Sequence, residues 1–138
     1  MNLKNKSVLI VEDEPSNYYL LQTILERSGI ITTWVTNGID AVNTLNGTKI
    51  FDAIFMDLKI PKLNGYEATR RIKRHYKSLP IIAVTAYALT GDKEKAIAAG
   101  CDKYITKPYK KNDILNILSE ALLEQTNKQT NMLVKNVS

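Results

Sequence analysis

The chain has 138 residues, of which 44% are hydrophobic, and a formal net charge of +5, which fits one globular domain with a single core. No apolar run approaches the roughly 20 residues that span a membrane, and the short apolar stretch after the polar N-terminus does not fit a secretory signal. Cys101 is the only cysteine, which excludes an internal disulfide and a cysteine-rich zinc site. We therefore expect a cytoplasmic protein without a membrane partner.

Much of the positive charge lies in one segment, residues 70–77, with the sequence RRIKRHYK. Such a cluster can follow the phosphates of a nucleic acid, but a run of charges is more typical of a solvated helix face. We therefore expect no direct nucleic-acid partner. His75, the only histidine, should lie at the surface.

The first half of the chain predicts two strand–helix units. Residues 8–11 form an apolar run too short for a helix and typical of a strand buried on both faces of a parallel sheet. A helix follows between Pro15, which suits a first turn, and Gly29, which ends it. Residues 31–36 mix polar and apolar positions and suit a strand nearer a sheet edge, and a short helix follows over residues 41–45.

The next units repeat this pattern. Residues 53–56 and 81–84 are further buried strands, and between them Ala68 and Ile72 mark the inward face of a third helix. Residues 90–92, Thr-Gly-Asp, can cap a fourth helix that ends at Gly100.

A short fifth strand at residues 103–106 precedes the clearest helical pattern of the chain, over residues 114–122. Right-handed crossovers between five such units predict an α/β fold with helices on both faces of one parallel sheet. We divide the chain into one domain at residues 1–124 and a segment at 125–138 that is a helix extension or a flexible polar tail.

Polar side chains stand at the carboxyl ends of four predicted strands, the edge at which open α/β sheets bind ligands. They are Glu12 and Asp13, Asp57, Thr85, and Lys107 with Pro108. Three neighbouring carboxylates repel one another unless a cation lies between them, and such hard oxygen ligands suit Mg²⁺. A carboxylate beside that metal can attack phosphorus, while a lysine and a hydroxyl hold the phosphoryl oxygens.

Each of these residues has an ordinary explanation when it is considered alone. Asp57 could be a turn residue, Thr85 could bond to the backbone, and Lys107 could be a surface lysine. Their joint placement at the ends of four strands favours a functional site.

The sequence resembles the receiver domains of two-component response regulators over about residues 6–124. The resemblance rests on five segments in this order: VLIVED at 8–13, FMDLKIP at 55–61, Asn64-Gly65, VTA at 84–86 and YITKP at 104–108. It implies a flavodoxin-like (βα)5 doubly wound parallel sheet with strand order 2-1-3-4-5. It also implies Mg²⁺-dependent transfer of a phosphoryl group to Asp57 from a histidine kinase or a histidine phosphotransfer protein. Such a domain is a signalling switch that catalyses only its own phosphorylation and slow dephosphorylation.

The resemblance assigns a role to each site residue. Asp13 and Asp57 would bind the metal directly, Glu12 through water, and Lys59 through its backbone carbonyl. Thr85 and Lys107 would hold the phosphoryl group. Receivers often carry a cis bond before the proline of this motif, which makes Lys107–Pro108 a candidate. Glu12 stands where the family more commonly has Asp.

The resemblance also predicts how the switch reports its state. Thr85 would move toward the phosphoryl group while the ring of Tyr104 turns inward. The reporting surface would be residues 91–124, which would contact a downstream protein effector or a second copy. Tyr87, a bulky residue two positions beyond Thr85, would shield the phosphoryl group from water and lengthen its lifetime.

Three other functions are open alternatives. A phosphatase of the haloacid dehalogenase type also uses a strand-end Asp nucleophile but needs a second Asp two residues on, where this chain has Lys59. A flavodoxin-like electron carrier would need a phosphate-binding loop where this chain has Glu12-Asp13-Glu14. A receiver that acts as a scaffold without phosphorylation would not need the acidic and basic set. The sequence fits both a stand-alone receiver and one excised from a hybrid histidine kinase.

Overall fold

A computed structural model describes residues 2–86 and 91–137 of the chain. In these residues five strands alternate with five helices. The elements are β1 Ser7–Val11, α1 Pro15–Arg27, β2 Ile31–Val35, α2 Gly38–Leu45, β3 Ala53–Asp57, α3 Gly65–His75, β4 Ile81–Thr85, α4 Asp92–Ala99, β5 Lys103–Thr106 and α5 Lys111–Val137.

The strands form one parallel sheet in the order β2-β1-β3-β4-β5. This confirms the predicted flavodoxin-like fold, and it also confirms that β2 lies at an edge. The central strands β1, β3 and β4 are buried along nearly their whole length, as their continuous apolar runs require. The edge strands β2 and β5 are only half-buried, in keeping with their mixed sequences.

The sheet separates two hydrophobic clusters. One contains residues of α1 and α5, such as Leu25 and Leu118, packed on one face of the sheet. The other contains residues of α2, α3 and α4, such as Leu45, Ile72 and Ala96, packed on the opposite face. Burial on both faces holds the strand ends at fixed relative positions, because close-packed interiors deform little.

Local sequence signals set several helix ends. Pro15 is the first residue of α1, and Gly29 beyond that helix has a φ of 81°. Gly100 ends α4 with a φ of 115°, a conformation that favours glycine. At the start of α3 the side-chain oxygen of Asn64 accepts a hydrogen bond of 3.0 Å from Glu67 N. The predicted cap residue Thr90 lies outside the described residues.

The basic segment at 70–77 lies on α3 and in the turn after it, and most of its side chains, including His75, are exposed as predicted. Lys73 differs, because its ammonium contacts Asp102 Oδ2 and the carbonyl oxygen of Leu79, each at 2.7 Å. Asp102 Oδ2 also accepts a hydrogen bond from Ile81 N. Lys73 therefore ties α3 to the starts of β4 and β5.

The last helix is the longest, since α5 has 27 residues and continues to Val137. Its side chains are buried among the core at Ile114, Leu118, Ala121 and Leu122 and are mostly exposed beyond Glu124. The division of the chain at residue 124 stays a prediction. No helix in residues 2–86 and 91–137 is long and apolar enough to cross a membrane.

Candidate functional site

The order of the strands places one crevice at the carboxyl end of the sheet. Strand β1 lies between β2 and β3. The chain runs from β1 to β2 on one side of β1 and then crosses to β3 on its other side, so the strand order reverses at β1. Open α/β sheets bind ligands at such a point of reversal. Glu12 and Asp13 follow β1, and Asp57 is the last residue of β3. The fold therefore brings three carboxylates to this crevice.

These carboxylates form a compact cluster. One oxygen atom from each of Glu12, Asp13 and Asp57 lies within 4.8 Å of the other two. Glu12 and Asp57 are buried and Asp13 is exposed. Burial, followed by the hydrogen bond and charge of Asp57, raises the pKa of Glu12 to about 7. A divalent cation would relieve this repulsion, and three hard oxygen donors, one of them open to solvent, fit Mg²⁺.

One ammonium group faces this cluster. Lys107 Nζ lies 3.2 Å from Asp57 Oδ2 and 3.2 Å from Glu12 Oε2. Burial lowers the pKa of Lys107, but the charges of Asp57 and Glu12 outweigh that effect and raise it overall. Lys107 is therefore a fixed cation at this site. The bond between Lys107 and Pro108 is cis, as the resemblance to receiver domains suggested.

The two oxygens of Asp57 have different partners. Oδ1 accepts a hydrogen bond of 2.9 Å from the backbone nitrogen of Lys59, while Oδ2 faces Lys107. The side chain of Lys59 is exposed. The predicted role of its backbone carbonyl as a metal ligand stays a prediction.

The switch residues predicted from the sequence lie on neighbouring strands. Thr85 ends β4 and is buried, one residue beyond Val84, which pairs with Asp57 at the end of β3. Tyr104 lies on β5 opposite Ala83, and its hydroxyl is buried. Burial and the charges of Asp92 and Glu94 raise the pKa of Tyr104, whereas the side chain of Thr85 acts in the opposite direction. Tyr87 lies outside the described residues.

Three residues near the site were not predicted from the sequence. Asn17 Nδ2 lies 3.4 Å from Glu12 Oε1. Burial and the charges of Glu12 and Asp57 raise the pKa of Tyr109 to about 12, so its phenol stays neutral beside them. Trp34 Nε1 donates a hydrogen bond of 2.7 Å to the backbone carbonyl of Glu12. Of the three, Tyr109 had a sequence signal, since it directly follows Lys107-Pro108.

The family of this chain follows from a comparison with known protein families. The model of the response regulator receiver domain matches residues 8–119. The chain belongs to this family. It is a receiver domain, and thus a signalling domain of the two-component class.

Two kinds of curated relative resemble this receiver domain. The polar-differentiation response regulator DivK of Brucella anthropi is 39% identical over 105 residues, covering 75% of this chain and 85% of DivK. The sensor histidine kinase GacS of Pseudomonas protegens is 36% identical over 116 residues, covering 80% of this chain. The match spans only 12% of the length of that kinase.

Solved structures of receiver domains are similar as well. The receiver domain of a sensor histidine kinase from Pseudomonas aeruginosa has a TM-score of 0.80 at 38% identity, covers 86% of this chain and 98% of its own, and holds a magnesium ion in its active-site cleft. The receiver domain of Ssk1 from Saccharomyces cerevisiae has a TM-score of 0.80 at 32% identity, with 89% of this chain and 92% of that chain covered. It was crystallised with the histidine phosphotransfer protein Ypd1.

Proposed function

We propose that this receiver domain accepts a phosphoryl group on Asp57 from a phosphohistidine donor in a Mg²⁺-dependent reaction. The observation that carries the proposal is the meeting of three carboxylates and one ammonium at the carboxyl end of β1 and β3. Asp57 is held on both oxygens, by Lys59 N and by Lys107. A positioned nucleophile next to a fixed cation is suited to phosphoryl transfer.

The metal would be held by Asp13 and Asp57 directly, by Glu12 through water, and by the backbone carbonyl of Lys59. When bound, Mg²⁺ supplies positive charge to the carboxylates and to the phosphoryl oxygens, which allows two anionic groups to approach each other. Asp13 is exposed and so is accessible to an incoming ion, while buried Glu12 and Asp57 present their oxygens from the side of the sheet.

In the transfer step a carboxylate oxygen of Asp57 forms a bond to phosphorus, and the bond from phosphorus to the imidazole nitrogen of the donor breaks. The electron pair of that bond stays on the imidazole nitrogen, and the product is an acyl phosphate on Asp57. Lys107 exchanges its contact with Asp57 for a contact with a phosphoryl oxygen, where charge spreads in the transition state. The Lys59 N–H holds the other oxygen of Asp57 and so limits rotation of the side chain.

The phosphoryl group would then be reported through Thr85 and Tyr104. A phosphoryl oxygen offers the Thr85 hydroxyl a charge-assisted hydrogen bond, and movement of Thr85 changes the space available to the Tyr104 ring on the next strand. The surface that changes is residues 91–124, and its partner is a downstream protein effector or a second copy of the domain. Phosphorylation shifts the equilibrium between the two conformations of this surface only as far as the phosphoryl group stabilises one conformation more than the other.

The phosphoryl donor would be a histidine kinase or a histidine phosphotransfer protein. The complex of the Ssk1 receiver with Ypd1 supports the second type of donor. Similarity to DivK and to GacS supports both a stand-alone receiver and a receiver within a hybrid kinase. We place the reaction in the cytoplasm, a reducing compartment that suits a chain whose single cysteine is buried and free.

The proposal is tested by incubating the protein with acetyl phosphate in Mg²⁺ or in excess EDTA. We expect stable covalent phosphate in Mg²⁺ and none in EDTA. A phosphatase would instead turn over p-nitrophenyl phosphate continuously in Mg²⁺, and we expect no such turnover because Lys59 stands where a general acid is needed. Equal labelling in Mg²⁺ and EDTA would contradict the metal requirement.

A further inference from the structure

Trp34, the only tryptophan of the chain, makes contacts that reach beyond its own strand. Its indole nitrogen donates to the Glu12 carbonyl at 2.7 Å. Its ring stacks on Tyr18 of α1, with centroids 3.9 Å apart and planes inclined by 5°. Tyr18 is buried in the core cluster that α1 shares with α5, and Trp34 packs against the same cluster. Trp34 is therefore fixed in position by the core on one side and bonded to the acidic site on the other.

The register of the sheet explains why this side chain reaches Glu12. Trp34 pairs with Ile10 in the β1–β2 ladder, and Glu12 follows Ile10 by two residues on the same face. The ladder approaches its end here, because Glu12 N donates to Val35 O and β2 stops at Val35. The indole supplies a donor for the Glu12 carbonyl at the point where the regular strand pairing ends.

The bonded carbonyl belongs to the peptide group that joins Glu12 to Asp13. Rotation of this peptide plane would move the backbone of Asp13 and with it the carboxylate that faces solvent. The side chain of Glu12 is held separately, by Glu14 N at 3.0 Å and by Lys107 at 3.2 Å. The indole therefore helps to fix the main chain between the two acidic residues.

We propose that Trp34 is a positioning residue that orients the Glu12–Asp13 peptide for cation binding. This inference rests on the proposed function, because it needs the acidic cluster to bind Mg²⁺. The hydrogen bond defines the direction of the peptide, and the stack on Tyr18 holds the indole so that it can donate. Preorganised ligands bind more tightly because less ordering occurs on binding.

The test compares Mg²⁺ affinity, measured by isothermal titration calorimetry, in the parent and in two proteins that lack the indole donor. Trp34→Phe keeps an aromatic ring against Tyr18. Replacement of Trp34 by benzothienylalanine keeps the shape of the indole and exchanges its N–H for sulfur. Thr33→Val, at the neighbouring position of the same strand, is the matched control.

We expect the dissociation constant to rise between about twofold and tenfold in both proteins without the donor, the range that one net hydrogen bond allows. The Thr33→Val control should stay within about twofold of the parent on the same scale. Urea unfolding in EDTA accompanies each titration, so that a loss of folding is separated from a loss of affinity in the folded protein.

Three results would overturn the inference while leaving the proposed function intact. The first is parent-like affinity in both proteins without the donor. The second is weakening in Trp34→Phe alone, which would assign the effect to packing. The third is equal weakening in Thr33→Val, which would assign it to general damage of β2. A parent protein that binds no Mg²⁺ would overturn the proposed function and this inference together.

Discussion

The ammonium of Lys107 lies 3.2 Å from Asp57 Oδ2, so the residue that follows the fifth strand supplies the counter-charge for a carboxylate at the end of the third. The same ammonium is equally close to Glu12 Oε2. Before phosphorylation, Lys107 is thus shared between two carboxylates. A phosphoryl group on Asp57 would compete with Glu12 for this one cation, and a divalent ion held by the acidic cluster would ease the competition by adding positive charge.

Replacement of Lys107 by Met removes the charge and keeps the length of the side chain. We expect the rate of Asp57 phosphorylation by acetyl phosphate to fall on the order of a hundredfold, because one donor to the transition-state charge is lost. The rate is measured by mass spectrometry of samples quenched over time. Lys110→Met, at an exposed lysine nearby, is the control and should keep the parent rate. A rate for Lys107→Met equal to that control would remove Lys107 from the mechanism.

The proposed link between Thr85 and the surface at residues 91–124 predicts a loss of signalling without a loss of phosphorylation. Thr85→Ala should still be phosphorylated, but the phosphorylation-induced shifts of backbone amide resonances in α4, β5 and α5 should shrink by more than about half, since a charge-assisted hydrogen bond is missing. Thr85→Ser retains the hydroxyl and should retain most of the shifts. Two-dimensional NMR spectra of the three proteins decide the point. Full shifts in Thr85→Ala would contradict the proposed coupling.

The position of Gly65 predicts a steric requirement directly behind Asp57, the proposed phosphoryl acceptor. A Cβ at this position would lie 2.4 Å from Asp57 O and 2.6 Å from Leu58 Cα. We expect Gly65→Ala to lower the free energy of unfolding by about 1–3 kcal/mol, as overpacking does. Gly47→Ala is the control, since the one contact that its Cβ would make among the described residues is with Thr44 O at 3.3 Å. Urea unfolding measures both, and an unchanged stability in Gly65→Ala would show that the α3 entry can move away from Asp57.

The burial of Cys101 predicts that the reactivity of its thiol depends on pH. Burial raises the pKa of this thiol to about 11, so a smaller fraction is thiolate at neutral pH and the nucleophilic form is scarce. At about pH 8 the thiolate fraction is on the order of a hundredfold below that of an ordinary cysteine. Labelling of the native protein with Ellman's reagent should therefore be slower than labelling in urea by at least that factor. Its rate should rise about tenfold for each added pH unit until the pKa is approached. Equal native and unfolded rates would contradict the buried position.

The sheet was predictable because each strand carries a local signal. β5 was predicted with the bounds it has, and the buried strands differ from their predictions by one residue at an end. The added residue at the end of β3 is Asp57, which pairs with Val84 as the last residue of the ladder. A polar residue at a strand end gives no local signal of whether it lies in the strand or after it.

Outside the predicted strand-end cluster, contacts between residues distant in sequence were not predictable. Trp34 reaches Glu12 because of the β1–β2 register, and Lys73 meets Asp102 because α3 ends beside the start of β5. Both depend on tertiary placement and leave no mark in either local segment. The length of α5 has a local cause: the helix continues to Val137 because no Gly or Pro occurs between residues 125 and 137 to end it.

The central claim is that Asp57 accepts one phosphoryl group. Intact-mass spectrometry after incubation with acetyl phosphate and Mg²⁺ tests it most directly, with Asp57→Asn as the matched protein that keeps the shape of the side chain and loses the nucleophile. We expect the parent to gain the mass of a single phosphoryl group and Asp57→Asn to gain none. A parent of unchanged mass, or the same gain in Asp57→Asn, would contradict the account.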